Sequence, residues 1–235
     1  MRKRKQYLGM VMAILLIFTV CVQPVKAARP DCCTSKEWEV LRQTNEKRMK
    51  KGLNPFSTFA GLQSAADQRA KDIRKYFGHI RPDGSKYLTV LQNMSYTCCG
   101  ENIAMGQKTA TRVTGAWYNS KGHRKNMLSK KFVHMGVGYY YLSSSEWKYH
   151  WTQEYLGGCH PTSIEVDNKD QVITYDKGTT LKNMKRYLVV HCSHGNSYLP
   201  ISNKMCTGYS KSTLGMQEVT VTYGGMKTTF TVNIV

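Results

Sequence analysis

Two histidines and a glutamate, His79, Glu101 and His123, each stand beside residues that restrict the backbone. They fall within about fifty positions, a span that one domain can fold into a single cleft. His79 follows Gly78 and precedes Arg81-Pro82-Asp83-Gly84, Glu101 sits in Gly100-Glu101-Asn102, and His123 lies in the run from Trp117 to Leu128, W-Y-N-S-K-G-H-R-K-N-M-L. Two chemistries can be drawn from these residues. In the first, Ser120, three positions before His123, is a nucleophile with His123 as base and Glu101 as orienting acid. Ser120 lacks the G-x-S-x-G turn that usually presents such a serine. In the second, Glu101 orients a histidine while Asn102 and Asn126 satisfy backbone groups, which makes a fixed hydrogen-bonded network without turnover.

The elements that must hold these groups follow from periodicity. A first helix starts at Ser35, a capping residue type, with Glu37 and Glu39 in the first turn and Arg48, Lys50 and Lys51 gathered before Gly52. A second, from about Ser57 to Tyr76, carries Phe59, Leu62, Ala66, Arg69, Ala70 and Ile73 at helical spacing, the pattern of a core stripe. Pro82 and Asp83-Gly84 end that region, so His79 is expected where helix gives way to loop. Glu101 can cap a short helix over residues 102–105 or aim into a cavity. Thr109 or Thr111 can open a helix through Trp117, with His123 to Leu128 as a further helical turn. Val133 to Leu142 and Lys148 to Leu156 alternate as strands about a Ser143 to Glu146 loop. Helices followed by antiparallel strands point to an α+β class.

Six ordered blocks carry a resemblance: Val40 to Phe56, H-I-R-P-D-G from His79, G-E-N-I-A-M-G from Gly100, the Trp117 to Leu128 run, H-M-G-V-G-Y from His134, and Y-H-W-T-Q-E-Y from Tyr149. From about Val40 to Leu156 the chain resembles the CAP superfamily, or SCP domain, the group of cysteine-rich secretory, antigen 5 and pathogenesis-related 1 proteins. The resemblance implies an α-β-α sandwich. It also implies a central cleft in which many members place two histidines and two acids; His79, Glu101 and His123 match, whereas the second acid falls on Ser120. A zinc or other divalent ion held by His79, Glu101 and His123, with a fourth position open to water, is the metal site implied. The function implied is a non-enzymatic extracellular binding module for a lipid, glycan or peptide. The alternative is a metal-dependent or serine-type hydrolase acting on peptide or cell-wall substrates.

After about Asp170 the helix period disappears, Thr and Val become frequent, and turn signals recur at Asp176-Lys177-Gly178 and Tyr223-Gly224-Gly225. Val219, Val221 and Tyr223 alternate with Thr220 and Thr222, which predicts a hairpin in a small all-β unit. It resembles a bacterial immunoglobulin-like domain. The expected organisation is therefore a signal peptide at 1–27, a CAP-type α-β-α sandwich at 36–157, a linker at 158–169 that permits an angle between domains without fixing it, and an immunoglobulin-like sandwich at 170–235.

The signal peptide rests on the basic start Arg2-Lys3-Arg4-Lys5, the apolar run from Leu8 to Val22, and Val25 and Ala27 before Ala28. Lys and Arg number 34 against 15 Asp and Glu; five of the cations precede Ala28, so the remaining chain keeps a charge of +14. Such a field attracts anionic cell-wall polymer or lipid headgroups outside the cell. The basic residues are scattered, and the motifs of nucleic-acid binding are missing, which argues against a nucleic-acid partner.

Of eight cysteines, Cys21 leaves with the signal peptide and seven remain. Export favours disulfides. Cys192 is expected to pair with Cys206, and the Cys32-Cys33 doublet to meet Cys98-Cys99, with Cys159 left over. The odd thiol permits a disulfide dimer of an otherwise monomeric chain. The doublets lack the spacing by which two thiolates reach one zinc.

Overall fold

The computed structural model describes residues 29–193 and 195–235. The expected signal peptide at 1–27 lies outside the described residues, and among those described no helix is long and apolar enough to cross a membrane.

Helix α1 spans Ser35–Met49. Thr34, not Ser35, caps it: its hydroxyl accepts from Glu37 N, and the Glu37 carboxylate accepts from Thr34 N at 2.6 Å, a reciprocal capping box. Helix α2 spans Ala60–Lys75, shorter at its start than the stripe suggested. Ser57 and Thr58 are extended instead, bridging to His134 and Tyr198. Strand β1, Cys98–Met105, takes residues that could have formed a short helix after Glu101. Thr109 caps α3, Ala110–Asn119, and α4, Lys121–Met127, follows at once. Strands β2, His134–Tyr141, and β3, Tyr149–Gly157, complete an antiparallel sheet in the order β1-β3-β2.

Alternation along the strands gives this sheet two apolar faces. Leu62, Ala65 and Leu91 pack with Leu156 on one side. Val40, Leu41, Val113 and Trp117 pack with Val137, Trp151 and Tyr155 on the other. Helix α2 therefore covers one face, and α1, α3 and α4 the other, which is the expected α-β-α sandwich. The backbone of α2 rests directly on β2, because a Cβ at Gly138 would stand 2.0 Å from Ala66 O and one at Gly136 would stand 2.5 Å from Leu62 O.

The second domain is a sandwich of two sheets, and its strands run to the end of the chain. One sheet joins β4, Pro161–Val166, to β6, Tyr187–Cys192, and β7, Gly195–Pro200. The other has the order β5-β10-β9-β8, from Ile173–Tyr175, Met226–Ile234, Gly215–Tyr223 and Cys206–Thr207. Val190, Leu199, Val221 and Val232 fill the space between them. The β9–β10 hairpin turns at Gly224 and Gly225, with φ of +57° and +84°, the left-handed pair a tight hairpin needs.

Two expectations are corrected here. Half of the stretch read as a linker, 158–169, is strand β4 of the sandwich, paired with β6. The domains also meet directly: Thr58 and Tyr198 exchange backbone hydrogen bonds at 2.8 and 2.7 Å, and Trp38 packs edge-on against Tyr187. The expected Cys192–Cys206 bridge is absent as well. All seven described cysteines are free, and the Cys192 sulfur lies beside Cys159 rather than Cys206. In the CAP-type domain Cys33 faces Gln63, while Cys99 faces Tyr87.

Candidate functional site

Strand β1 is an edge strand, so groups from both helical layers can meet past it. Glu101 points to the α2 side. Its carboxylate accepts from Arg69 Nε at 2.7 Å and Arg69 Nη2 at 3.3 Å, and its Oε1 lies 2.7 Å from His79 Nδ1. A carboxylate only accepts, so His79 Nδ1 carries the hydrogen in this bond. The Arg69 and Glu101 side chains are wholly buried, while the His79 side chain is 59% exposed.

Arg69 also fixes the loop that carries His79. Its Nη2 donates to Gly78 O at 2.8 Å, and it shares Asp72 with Arg81, whose Nε donates at 2.7 Å. The Arg81-Pro82-Asp83-Gly84 turn closes with Gly84 N donating to Arg81 O at 2.9 Å, at a Gly84 φ of +83°. An arginine inside an otherwise apolar helix stripe is the signal that should have marked this position, because a buried guanidinium needs a carboxylate partner.

Across the ladder from Glu101 stands Glu154, fully buried, and among the described residues neither of its oxygens has a hydrogen-bond donor. Burial first, then the charge of Glu101, pushes its carboxyl well above the usual range, so it stays protonated. One cation, Arg69, thus compensates one of two adjacent acids, and the second is neutral.

The other face of β1 holds the amide network. Asn102 Nδ2 donates to His123 O at 3.1 Å, Gln153 Oε1 at 3.0 Å and the Tyr155 hydroxyl at 3.1 Å. Asn126 Nδ2 donates to Glu101 O at 3.1 Å and Asn102 Oδ1 at 2.9 Å. These bonds dock α4 against β1 and place the half-buried His123 near His79. Burial, and then the positive charge of His79, lower the His123 pKa below its ordinary value.

The structure therefore brings His79, Glu101, Asn102, His123 and Asn126 together at one edge of the sheet. Ser120 is close in sequence but takes no part: its backbone ends α3 and begins α4, and among the described residues no hydrogen bond joins its hydroxyl to His123. Glu101 pairs with His79 and Arg69 rather than with His123, so the Ser120–His123–Glu101 triad is not assembled.

The divalent ion implied by the resemblance does not fit these residues. Both Glu101 oxygens accept from a buried guanidinium, His79 Nδ1 takes one of them as well, and the second acid is Ser120. That leaves two imidazoles as donors beside a fixed positive charge. Among the described residues the ligand atoms of His79, Glu101 and His123 do not gather within 4.8 Å of one another.

A helix–sheet–helix domain with this histidine and glutamate edge, joined to a β-sandwich, defines a two-domain class. Residues 41–155 match the family model described as the cysteine-rich secretory protein family, CAP, and residues 174–234 match the bacterial Ig-like domain, group 3. The chain thus carries a CAP domain at 41–155 and a bacterial immunoglobulin-like domain at 174–234. It is 38% identical over 132 residues to the uncharacterized protein YkwD of Bacillus subtilis, covering 54% of this chain and 49% of that one. It is 29% identical over 109 residues to the uncharacterized membrane protein YlbC of the same organism, covering 45% and 32%. The chain thus spans about half of the first relative's length and about a third of the second's. Among solved structures, an extracellular SCP-domain protein from Bacillus anthracis aligns at 26% identity with a TM-score of 0.47, covering 52% of this chain and 40% of that one.

Proposed function

We propose that this protein is an extracellular, non-enzymatic binding module whose ligand, a lipid, glycan or peptide, docks at the His79–His123 edge. The observation that carries this reading is the state of Glu101. Its carboxylate is bound by Arg69 and His79, so it acts as a fixed anchor for an imidazole rather than as a base or nucleophile. The His79 side chain is 59% exposed, and Tyr76, Phe77 and Ile80, its near neighbours in sequence, are exposed as well. An exposed imidazole beside apolar surface suits an amphipathic ligand, which supplies a polar group and something to cover the rings. The basic start and apolar run before Ala28 support export, and the +14 charge of the remaining chain favours an anionic wall polymer nearby.

Calorimetric titration of the purified chain with wall glycan fragments, a short peptide series and phospholipid vesicles tests this reading. Binding of at least one class that weakens tenfold or more in His79→Ala, with the titrant recovered intact, is the expected result. Hydrolysis of any of them that disappears in His123→Ala would overturn it in favour of a hydrolase.

A further inference from the structure

One other group of ligating side chains exists among the described residues, and it lies away from the His79 edge. His134, Cys159 and Cys192 hold their ligand atoms within 4.8 Å of one another. His134 opens β2 of the CAP domain, Cys159 follows the end of β3, and Cys192 closes β6 of the immunoglobulin-like domain. We propose that these three residues bind a thiophilic d10 metal ion, Zn(II) or Cu(I), that staples the two domains together.

Four observations carry the proposal. The first is spacing: a tetrahedral ion with bonds of about 2.3 Å to sulfur and about 2.0 Å to nitrogen sets its ligand atoms about 3.3 to 3.8 Å apart, inside the observed envelope. A disulfide would need the sulfurs at about 2.05 Å, and both cysteines are free. The second is burial, since His134 is 7% and Cys159 8% exposed, which shields a bound ion from bulk solvent.

The third is orientation. His134 Nδ1 lies 2.8 Å from Ser57 Oγ, which in turn accepts from Ser197 Oγ at 3.0 Å, and Phe59 packs edge-on against the ring at 5.3 Å. Metal-ligating imidazoles are commonly held in this way through their other nitrogen. Ser57 belongs to the first domain and Ser197 to the second, so the supporting contacts also span the junction. The fourth is access: the group borders a cavity of about 290 Å³ lined by Phe59, Met94, Asn196 and Ser197, which has room for a water or small ligand at a fourth position.

Two thiolates and one neutral imidazole form a soft donor set that prefers zinc or cuprous ion to magnesium, calcium or manganese. Two thiolates balance the charge of Zn(II), and binding releases the two thiol protons to solvent.

The test uses the full exported chain, purified under reductant and chelator, then dialysed against Zn(II) or, without oxygen, Cu(I). About one ion per chain is expected, with affinity lowered tenfold or more in His134→Gln and in Cys192→Ser and unchanged in Cys206→Ser. Co(II) supplied instead should give a sulfur-to-cobalt charge-transfer band that Cys159→Ser weakens; this readout on the unsubstituted chain decides the matter even where a variant folds poorly. No stoichiometric ion with the thiols reduced, or a Cys159–Cys192 disulfide as the only exported form with no metal bound, would overturn the proposal. Loading that His134→Gln leaves unchanged would equally contradict it.

Discussion

Arg69 and Glu101 form an ion pair with no exposed side-chain surface on either partner, Nε to Oε2 at 2.7 Å. The pair joins α2 to the edge strand, and through Gly78 O it also holds the loop that presents His79. Removing one partner of such a pair strands the other in a medium that solvates charge poorly. Arg69→Met should therefore cost about 3–5 kcal/mol, read as a lowered urea midpoint, because Glu101 would then share its site with Glu154 and no cation. A cost below about 1 kcal/mol would show the pair to be solvated, as surface pairs are.

Stability should fall as pH rises through the mildly acidic range. Glu154 is held protonated in the folded chain by burial and the charge of Glu101, and burial together with Asp67 raises Glu37 from 4.5 to about 7. Above 4.5 the unfolded chain gives up these protons while the folded chain keeps them, so the unfolded state gains. For Glu37 the decline spans pH 4.5 to about 7; for Glu154 it continues upward from 4.5. Glu154→Gln keeps the shape and removes the ionisation, so its urea midpoint should depend less steeply on pH than that of the unsubstituted chain.

His123 should titrate below 6.5, and the midpoint should move up when His79 is replaced by alanine, because part of the depression is the repulsion of a second imidazolium. Proton NMR of the imidazole signals measures both values. The sign for stability is opposite to that of Glu154: between its folded midpoint and 6.5 the unfolded chain binds the extra proton, so His123 adds stability as pH rises through that window.

Much of this architecture was legible in the residues. The alternation of Val219, Val221 and Tyr223 about Gly224-Gly225 defined the last hairpin, and the order of helices and strands defined the α+β class. The loop position of His79 was also legible, because Pro82 and Asp83-Gly84 mark where the helical pattern before it must stop. What escaped was set by partners distant in sequence. Arg69 sat at a core-stripe position and looked like packing until Glu101, thirty-two residues on, was seen to meet it. Glu154 lay in an alternating strand whose acid gave no sign that it stayed neutral. The pairing of β4 with β6 turned residues with linker composition into a strand, and the same register brought Cys192 near Cys159 and away from Cys206.

Gly138 is a packing contact rather than a flexible point. Gly138→Ala would drive a methyl to 2.0 Å from Ala66 O, so α2 must lift from β2. Overpacking of this kind costs about 1–3 kcal/mol. A thermal melt of the variant reads the loss directly, and Gly115→Ala, inside α3 where a Cβ meets nothing within 4 Å, is the unstrained comparison, expected to melt no lower than the unsubstituted chain.

The central claim, a binding edge built on a fixed ion pair rather than a catalytic centre, is tested most directly by one incubation of the purified chain with purified cell-wall fragments. Bound and cleaved material are then quantified from the same sample, for the unsubstituted chain and for His123→Ala. The account predicts fragments retained intact by the first and released by the second. New reducing ends or free amines that appear with the first and vanish with the second would contradict it.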